Sequence, residues 1–420
     1  DFKRDLTFSK TKKGLPVIYR HNSDNGLATL VLYWRMGIAA DKRYSVAADY
    51  LDYIGTQTRT LAQIKKELYS LGCGANFITN DDDIYIIISG LDESMPKALA
   101  LIEDIMHNAK ADAKAYTDMV NIYAKDFEDN KKNQRANFNA LRQLGRYGDY
   151  NSQRNRMSLE EMRNTDPQTL IDLIKALPSY RHEILYYGPR SVKELIALCD
   201  KQHPTPKKLA APLANKEYQE QPTPQNEVWI APYDAKNIYM MMYNNENKAW
   251  KPEEAPVAAL FNSYFGGGMN TVVFQELREA RGLAYSAGAY YNYTPMKGHP
   301  EYGTTTIISQ NDKMMDCIRV FKEILDTIPQ SEKAFELAKQ SLAKQLASER
   351  TTKFGIINRY LYYNALPNIT LQDIVNFEKQ TMANKPYRYL ILGDEKNLDM
   401  KALEKIGPVR RLSTEDIFGY

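Results

Sequence analysis

Apolar residues in the first half of the chain form short runs that alternate with segments of helical spacing. Consecutive or alternating apolar residues predict strands in GLPVIYRHN, GLATLVLYWRMG, DIYIIISGL and the segment 181–188. Apolar residues at helical spacing predict helices over 46–54, 61–71 and 94–108. The first half is therefore expected to mix strands with helices.

The second half shows the same arrangement. Strands are predicted for the two apolar runs of NEVWIAPYDAKNIYMMMYNNE, for TTTIISQN and for RYLILGD. Helices are predicted over 255–264, 272–281, 314–327 and 333–350. Strands mixed with helices in each half indicate α+β domains in which helices pack on one face of a sheet.

Similar short sequences recur about 210 to 220 residues apart, which indicates two similar domains in tandem. The pair EL occurs at 67 and again at 276, and the triplet IIS occurs at 87 and again at 307. The larger offset of the triplet places an insertion around 293–302. We expect a first domain at 1–205, a linker rich in proline and polar residues at 206–226, and a second domain at 227–420.

Composition narrows the possible functions. The chain of 420 residues is 43% hydrophobic and 25% charged, as is typical of folded proteins of two or three domains. A net charge of +3 gives no reason to expect nucleic-acid binding. No apolar run approaches the roughly 18 residues that span a bilayer. The basic segment 125–146 also contains acids and amides, so we expect a solvated helix face or a connector there.

Histidine and cysteine do not form a recognisable metal motif. The five histidines include no pair at metal-binding spacing on a predicted helix, and Tyr186 interrupts the HExxH-like start at His182. The three cysteines are far apart and odd in number, which argues against a disulfide framework or a cysteine-type zinc site. Three sparse cysteines leave the redox compartment open.

The segment 261–290, FNSYFGGGMNTVVFQELREARGLAYSAGAY, carries the most specific pattern in the chain. Three glycines at 266–268 interrupt two helical runs, and glycine allows positive φ and close approach of another chain. Gly282 is expected to end the second helix. Arg278 and Tyr285 then place two hydrogen-bond donors near that helix end.

This segment resembles the second-domain signature of the insulinase (pitrilysin) family of zinc peptidases, in which a glycine-rich turn and a helix precede an arginine and, after six residues, a tyrosine. The resemblance implies that Arg278 and Tyr285 bind the peptide and help to hold its carbonyl group. It also implies that the turn contacts the peptide through Gly266, Gly267, Gly268, Met269 and Asn270. The alternative is a glycine-rich loop beside an ordinary surface arginine and a packed tyrosine.

The catalytic signature of the family, HxxEH followed by Gly-Thr, is absent from the corresponding place. Aligned on Gly55-Thr56, the zinc-ligand positions hold Val46 and Tyr50, and the position of the catalytic glutamate holds Asp49. Valine donates no lone pair to zinc, and neutral tyrosine is a poor ligand. Asp126 or Glu128 falls where a further acidic ligand is expected, but one carboxylate makes no zinc site. We interpret Asp49 as a solvated helix residue and expect no metal in this chain.

The resemblance therefore implies the zinc-free half of a peptidase whose halves enclose a peptide, with two tandem domains that each contain a mostly antiparallel sheet. Zinc is expected in a partner half, fused upstream or present as a separate subunit, and the isolated chain is expected to be inactive. Two alternatives stay open: a structural relative that acts as a scaffold, and an independent peptidase with unrecognised residues. The location is undetermined: a periplasmic or other secreted-side location if the chain is an excised C-terminal half, and otherwise cytoplasmic.

Overall fold

The computed structural model describes residues 6–293, 298–348 and 364–420. Contacts within the chain divide it into two units, the first comprising 1–129 and 155–217 and the second comprising 130–154 and 218–420. The end of the predicted helix at 333–350 and part of the predicted insertion at 293–302 lie outside the described residues. The assignment of 130–154 to the second unit was not expected from the sequence, and the boundaries 1–205, 206–226 and 227–420 stay a prediction.

The first unit contains a six-stranded sheet in the order β1-β2-β6-β3-β5-β4. Its strands are β1 (Thr7–Lys10), β2 (Pro16–His21), β3 (Leu27–Trp34), β4 (Cys73–Thr79), β5 (Ile84–Leu91) and β6 (Glu183–Gly188). The pair β2 and β6 is parallel, and the other neighbouring pairs are antiparallel. Along β3, buried residues alternate with more exposed ones, as expected for a strand with one face against the core.

Several helices that begin in the first unit have clear start signals. The helices that begin there are α1 (Arg43–Leu51), α2 (Leu61–Ser70), α3 (Met95–Asn108), α4 (Ala113–Lys132), α6 (Leu159–Arg163), α7 (Pro167–Ala176) and α8 (Val192–Gln202), while α5 (Gln134–Tyr147) belongs to the second unit. Capping boxes at Thr60, Ser158 and Ser191 satisfy the first backbone N–H groups of α2, α6 and α8. Side-chain chemistry thus fixes where these helices begin.

The second unit also contains a six-stranded sheet, in the order β12-β7-β11-β8-β10-β9. Its strands are β7 (Glu227–Ala231), β8 (Asn237–Ala249), β9 (Ala284–Asn292), β10 (Pro300–Gln310), β11 (Arg388–Leu392) and β12 (Val409–Arg411). The described helices after β8 are α9 (Ala255–Phe261), α10 (Val272–Phe274), α11 (Met314–Asp326), α12 (Glu332–Ser348), α13 (Leu371–Thr381), α14 (Met400–Ile406) and α15 (Thr414–Phe418). Within the described ranges, no helix has the length and apolar character needed to cross a bilayer.

Five strands follow the same order in both sheets. The order β2-β6-β3-β5-β4 in the first corresponds to β7-β11-β8-β10-β9 in the second. In each sheet the first pair of this series is parallel and the following pairs are antiparallel. The predicted α+β fold with two similar tandem halves is confirmed.

The second sheet is covered on both faces, which differs from the expected packing of helices on one face. One face carries the larger core, which includes Val228, Ile230 and Met240. The opposite face packs against α5 and α15 and includes Trp229 and Leu390. Neighbouring residues of a strand point to opposite faces, so β7 and β11, which are apolar at nearly every position, need cover on both sides.

Helix α5 corrects the interpretation of 125–146 as a solvated face or connector. Phe138, Leu141 and Leu144 repeat at helical spacing and are buried against the second sheet. A side chain at Gly145 would meet Leu390, because a Cβ there would lie 2.4 Å from its Cδ1. The charged residues around this apolar stripe concealed it in the sequence.

Glu378 on α13 is a buried carboxyl group without a hydrogen-bond partner. Its exposed fraction is 0%, and neither carboxylate oxygen bonds to any described residue. Burial, together with the neighbouring charge of Asp326, raises the pKa of Glu378 to about 8. The folded protein therefore holds a proton on Glu378 over a pH range in which the unfolded chain has lost it.

Replacing this carboxyl group should remove a pH-dependent loss of stability. Since the folded pKa is raised, the contribution is complete below the unfolded value and is lost as pH rises towards about 8. In that range the free energy of unfolding should fall with a slope of up to about 1.4 kcal/mol per pH unit. Glu378→Gln should flatten this part of the profile in denaturant unfolding measured from pH 5 to pH 9. Glu336→Gln, at an exposed glutamate of α12, is the control, and parallel profiles for wild type and Glu378→Gln would contradict the assignment.

Candidate functional site

The glycine-rich turn begins where α9 widens into a π-helical turn, Asn262–Gly266. Phe261 and Phe265 stack on each other in the core and hold this turn. A Cβ on Gly266 would lie 2.1 Å from the carbonyl oxygen of Ala289 in strand β9. Gly266 is thus required by the close approach of the protein's own edge strand.

The glycine triplet does not use the positive φ that glycine allows. Among the described residues, the glycines with positive φ do not include Gly266, Gly267 or Gly268, and Gly267 has φ of −120°. Gly266 is buried, whereas Gly267 and Gly268 are exposed. The close approach predicted for glycine therefore occurs within this chain, at the first residue of the triplet.

The helix after the turn places Arg278. It begins as α10 and continues as a π-helical segment, Gln275–Ala280, with Val273 and Leu277 buried. Gly282 ends it with φ of 59°, as predicted, and its N–H donates to the carbonyl oxygen of Arg278 at 3.1 Å. The reversal at Gly282 leads directly into strand β9.

The structure brings Arg278 and Tyr285 together. The Arg278 guanidinium carbon lies 5.8 Å from the centre of the Tyr285 ring and 4.9 Å from that of Phe274, both within cation–π range. Tyr285 is the extra residue of a β-bulge, since Ser286 and Ala284 face successive residues of β10. A bulge redirects a side chain, and here it turns the tyrosine outwards beside the arginine.

Both side chains are open to solvent and available as donors. Tyr285 has an exposed fraction of 73%, and its hydroxyl has no hydrogen-bond partner among the described residues. Arg278 is half exposed, and its carboxylate contact within the described chain is a 3.9 Å approach of Nε to Glu279. A contact of that length at the surface contributes little. The packed tyrosine considered in the sequence analysis is therefore not what the structure shows.

A groove lies beside the turn, between the glycine-rich segment and helix α12. Its volume is about 690 Å³. Gly267, Gly268, Met269 and Asn270 line it together with Thr271 and Gln275, and Tyr290, Leu337 and Leu342 form further parts of the wall. Gly266 and the pair of Arg278 and Tyr285 are not part of this lining.

Internal hydrogen bonds order the turn at the groove. The Thr271 hydroxyl donates to the Gly268 carbonyl at 2.7 Å, and the Gln275 amide donates to the Met269 carbonyl at 2.7 Å. Gln275 and Arg278 are three residues apart on the same helix, so one element joins groove and arginine. The part of the groove wall that α12 forms could not be predicted from the sequence, because Leu337 lies about seventy residues from the turn and outside any local motif.

The positions that correspond to the zinc ligands are part of the core of the first unit. Val46 and Tyr50 are 2% and 0% exposed. The Tyr50 hydroxyl donates to the carbonyl oxygen of Asp112 and accepts from its N–H, both at 2.9 Å. The Tyr50 ring also contacts the edge of Tyr116, with ring centres 5.2 Å apart. Tyr50 therefore connects helix α1 to the segment that contains Asp112 and Tyr116.

The remaining acidic candidates lie apart from any metal geometry. Asp49 is an exposed residue of α1 and accepts a hydrogen bond from the Tyr123 hydroxyl, and partial desolvation raises the pKa of its carboxyl group. Asp126 and Glu128 are exposed on α4. Within the described residues, no group of three or more histidine, cysteine, aspartate or glutamate side chains is arranged to hold a metal ion.

The fold brings two distant histidines together, although they show no motif in the sequence. Nε2 of His182 lies 2.7 Å from Nε2 of His203, and Nδ1 of His203 lies 2.6 Å from a carboxylate oxygen of Glu103. Burial lowers the pKa of His182 to about 4, and the neighbouring His203 adds to this effect. The Nε2 atoms of the two rings are hydrogen-bonded to each other, so the cluster is a hydrogen-bond chain in the core.

Comparison with known proteins finds a family model that matches part of the chain. Residues 178–342, less than half of the chain, match the family model described as the peptidase M16 inactive domain. A search of curated proteins found no match.

Solved structures share the fold at low sequence identity. The peptidase M16 inactive domain from Pseudomonas fluorescens is 17% identical with a TM-score of 0.69, covering 93% of this chain and 98% of that one. The periplasmic protease PqqL from Escherichia coli is 12% identical with a TM-score of 0.67, covering 93% of this chain and 46% of PqqL. A mutant of the ferredoxin protease FusC, solved with Arabidopsis ferredoxin, is 11% identical with a TM-score of 0.70, covering 93% of this chain and 45% of FusC.

Residues 178–342 thus match the model of the M16 inactive domain, and the chain shares the fold of these solved structures. The resemblance found in the sequence is confirmed.

Removing the Tyr50 hydroxyl should destabilise the protein. Tyr50→Phe removes both hydrogen bonds that the hydroxyl makes to the Asp112 backbone, and each such bond typically contributes about 0.5–1.5 kcal/mol. Thermal and denaturant unfolding should both show this loss. Tyr285→Phe is the matched control, because its hydroxyl is exposed and unpartnered among the described residues, and it should leave stability unchanged. Equal stabilities for all three proteins would show that the hydroxyl of Tyr50 is not structural.

Proposed function

We propose that this chain is the zinc-free half of an insulinase-type metallopeptidase, which binds a peptide and presents Arg278 and Tyr285 to the carbonyl group being hydrolysed. The observation that carries the proposal is the adjacent placement of these two exposed donors. A surface tyrosine turned outwards by a bulge and an arginine held against its ring have no evident structural purpose. Two convergent polar groups beside a groove are typical of a binding site.

The chemistry of the pair suits an oxyanion. The Tyr285 O–H and the Arg278 N–H groups donate hydrogen bonds that strengthen as a carbonyl oxygen gains negative charge. Neither side chain generates a nucleophile. Zinc in the partner half would supply the activated water. The role of this chain is therefore to orient the peptide and to stabilise the charge that develops on it.

Relatives support a function that depends on a second half. The chain spans 46% of PqqL and 45% of FusC, both proteases, and 98% of the inactive domain from Pseudomonas fluorescens. The chain thus matches about half of two longer proteases and nearly all of a shorter solved chain, so a fused half and a separate subunit both stay open. FusC was solved in complex with a protein, ferredoxin, which supports a polypeptide as the bound molecule here.

A scaffold role is the second candidate. The burial of Val46 and Tyr50 supports it, because the residues that the resemblance aligns with the zinc ligands are packed in the core. A scaffold, however, has no use for an exposed arginine and an exposed tyrosine paired beside a groove. The two functions differ in whether loss of one hydroxyl affects catalysis.

Tyr285→Phe should lower turnover of the assembled enzyme about a hundredfold to a thousandfold, since this is the typical cost of losing one oxyanion donor. The measurement is peptide hydrolysis by this chain combined with its zinc-bearing half, with the melting temperature recorded alongside. Tyr69→Phe, at another exposed tyrosine, is the control and should leave turnover unchanged. Full activity of Tyr285→Phe would favour the scaffold.

The isolated chain should contain no stoichiometric zinc and cleave no peptide, because Val46 and Tyr50 offer no metal ligand. Elemental analysis after purification in zinc-containing buffer and a peptidase assay test this.

Affinity capture from the native source should recover a polypeptide with HxxEH, as a separate subunit or as part of the same chain. Chelator-sensitive cleavage by the chain alone would contradict the assignment to a zinc-free half.

A further inference from the structure

We propose that the groove between the glycine-rich turn and helix α12 binds an uncharged apolar or aromatic side chain of an extended peptide and so sets part of the peptide specificity. This inference rests on the proposed function and adds the chemical class of the residue that is recognised. It concerns the groove and not the pair of Arg278 and Tyr285, so the two are tested by different variants.

Exposed apolar side chains of the second unit gather at this place. Among its described residues, the large hydrophobic side chains that are exposed are Met269, Tyr285, Tyr290 and Leu337. Three of these four line the groove, and the fourth is the tyrosine beside Arg278. Met269 is 73% exposed and Leu337 58% exposed. Apolar side chains scattered singly over a surface need no explanation, whereas a group at a concave site marks a binding surface.

The described residues that line the groove carry no charge. None of the described residues that line it is acidic or basic; the polar members are amides, hydroxyls and backbone groups, among them Asn270, Thr271 and Gln275. A charged side chain that enters such a groove loses water and finds no opposite charge, which is costly. A leucine, methionine or aromatic side chain loses only unfavourable contact with water. The groove should therefore bind apolar and aromatic side chains of a peptide in preference to charged ones.

The adjacent sheet edge is closed to a further strand at this end. The Asn262 carboxamide donates to the carbonyl oxygen of Tyr291 at 2.9 Å and accepts from the Tyr291 N–H at 2.7 Å. The backbone of Gly266 also presses on the carbonyl of Ala289. These backbone groups are therefore not free to pair with a peptide. What the groove offers a peptide is space between Met269, Tyr290 and Leu337, which suits a side chain.

The floor and wall provide that space. Ala259, Ala334 and Ala338 contribute small side chains, and Gly267 and Gly268 contribute none. With a volume of about 690 Å³, the groove has room for a large side chain together with part of the peptide backbone. We therefore expect the groove to bind a peptide segment with leucine, methionine, phenylalanine or tyrosine at the position that meets Leu337.

Binding of labelled synthetic peptides to the unmodified chain tests this directly. The probes are extended serine- and threonine-rich peptides that differ at one guest position, which holds phenylalanine, leucine, glutamate or lysine. Fluorescence anisotropy should show about 10- to 100-fold tighter binding of the phenylalanine peptide than of either charged peptide, as burial of one such side chain provides. Equal affinities for all four peptides, or no binding of any of them, would overturn the groove proposal.

Paired charge substitutions make the test specific. Leu337→Glu should weaken binding of the phenylalanine peptide, and it should bind the lysine peptide more tightly than the glutamate peptide. Leu337→Lys should show the opposite preference between the two charged peptides. Ile122→Glu, at another exposed apolar residue of a helix, is the matched control and should change none of these affinities. Unchanged selectivity in both Leu337 variants would overturn the proposal. So would a marked fall in melting temperature in both, because it would show that the chain's own residues fill the groove.

The outcome is separable from that of the proposed function. If Tyr285→Phe lowers turnover but the guest residue has no effect on binding, the groove proposal fails and the proposed function stands. If Tyr285→Phe is fully active while the guest preference is present, the groove binds peptide but the assigned catalytic role fails.

Discussion

The close contact between Gly266 and the carbonyl oxygen of Ala289 is the constraint on which the candidate site depends. It sets the glycine-rich turn directly against strand β9, at a separation that leaves no room for a Cβ. The next residues of the turn then form one wall of the groove, and the helix that follows carries Gln275 and Arg278. Strand β9 brings Tyr285 back to the arginine. Any side chain at 266 would separate the two elements and disturb the groove and the donor pair together.

Sequence patterning predicted the strands with long runs of large apolar or β-branched residues, and it missed β4 and β9 along with several helices. Strands β4 and β9 occupy the same edge in the two sheets, and both are rich in glycine and alanine, so neither shows a clear apolar alternation. The turn, the helix stop at Gly282 and the paired Arg278 and Tyr285 came from a local motif. The groove did not, because Leu337 and Ala338 reach it through tertiary packing. The two donor residues could thus be predicted from local sequence, whereas the groove beside them could be found only from the folded structure.

In the first unit, Tyr50 and Val46 occupy the positions that the family resemblance aligns with the zinc ligands. A zinc ion would join the elements around it through ligand bonds, and its loss would leave that connection open. Tyr50 restores it with a hydroxyl that both accepts from and donates to the backbone of Asp112, while its ring packs on Tyr116. The neighbouring Val46 fills space that an imidazole would need to share with an ion. The first unit is accordingly stabilised by packing where an active relative would use coordination.

The Asn262 carboxamide has a consequence beyond recognition. An exposed strand edge is a template on which other chains aggregate, and proteins commonly block such edges with charges, prolines or bulges. Here an amide side chain occupies the hydrogen-bonding groups of Tyr291 in the way that a neighbouring strand would, and the bulge at Tyr285 interrupts the same edge further along. Copies of this chain are thereby hindered from pairing with one another along that edge.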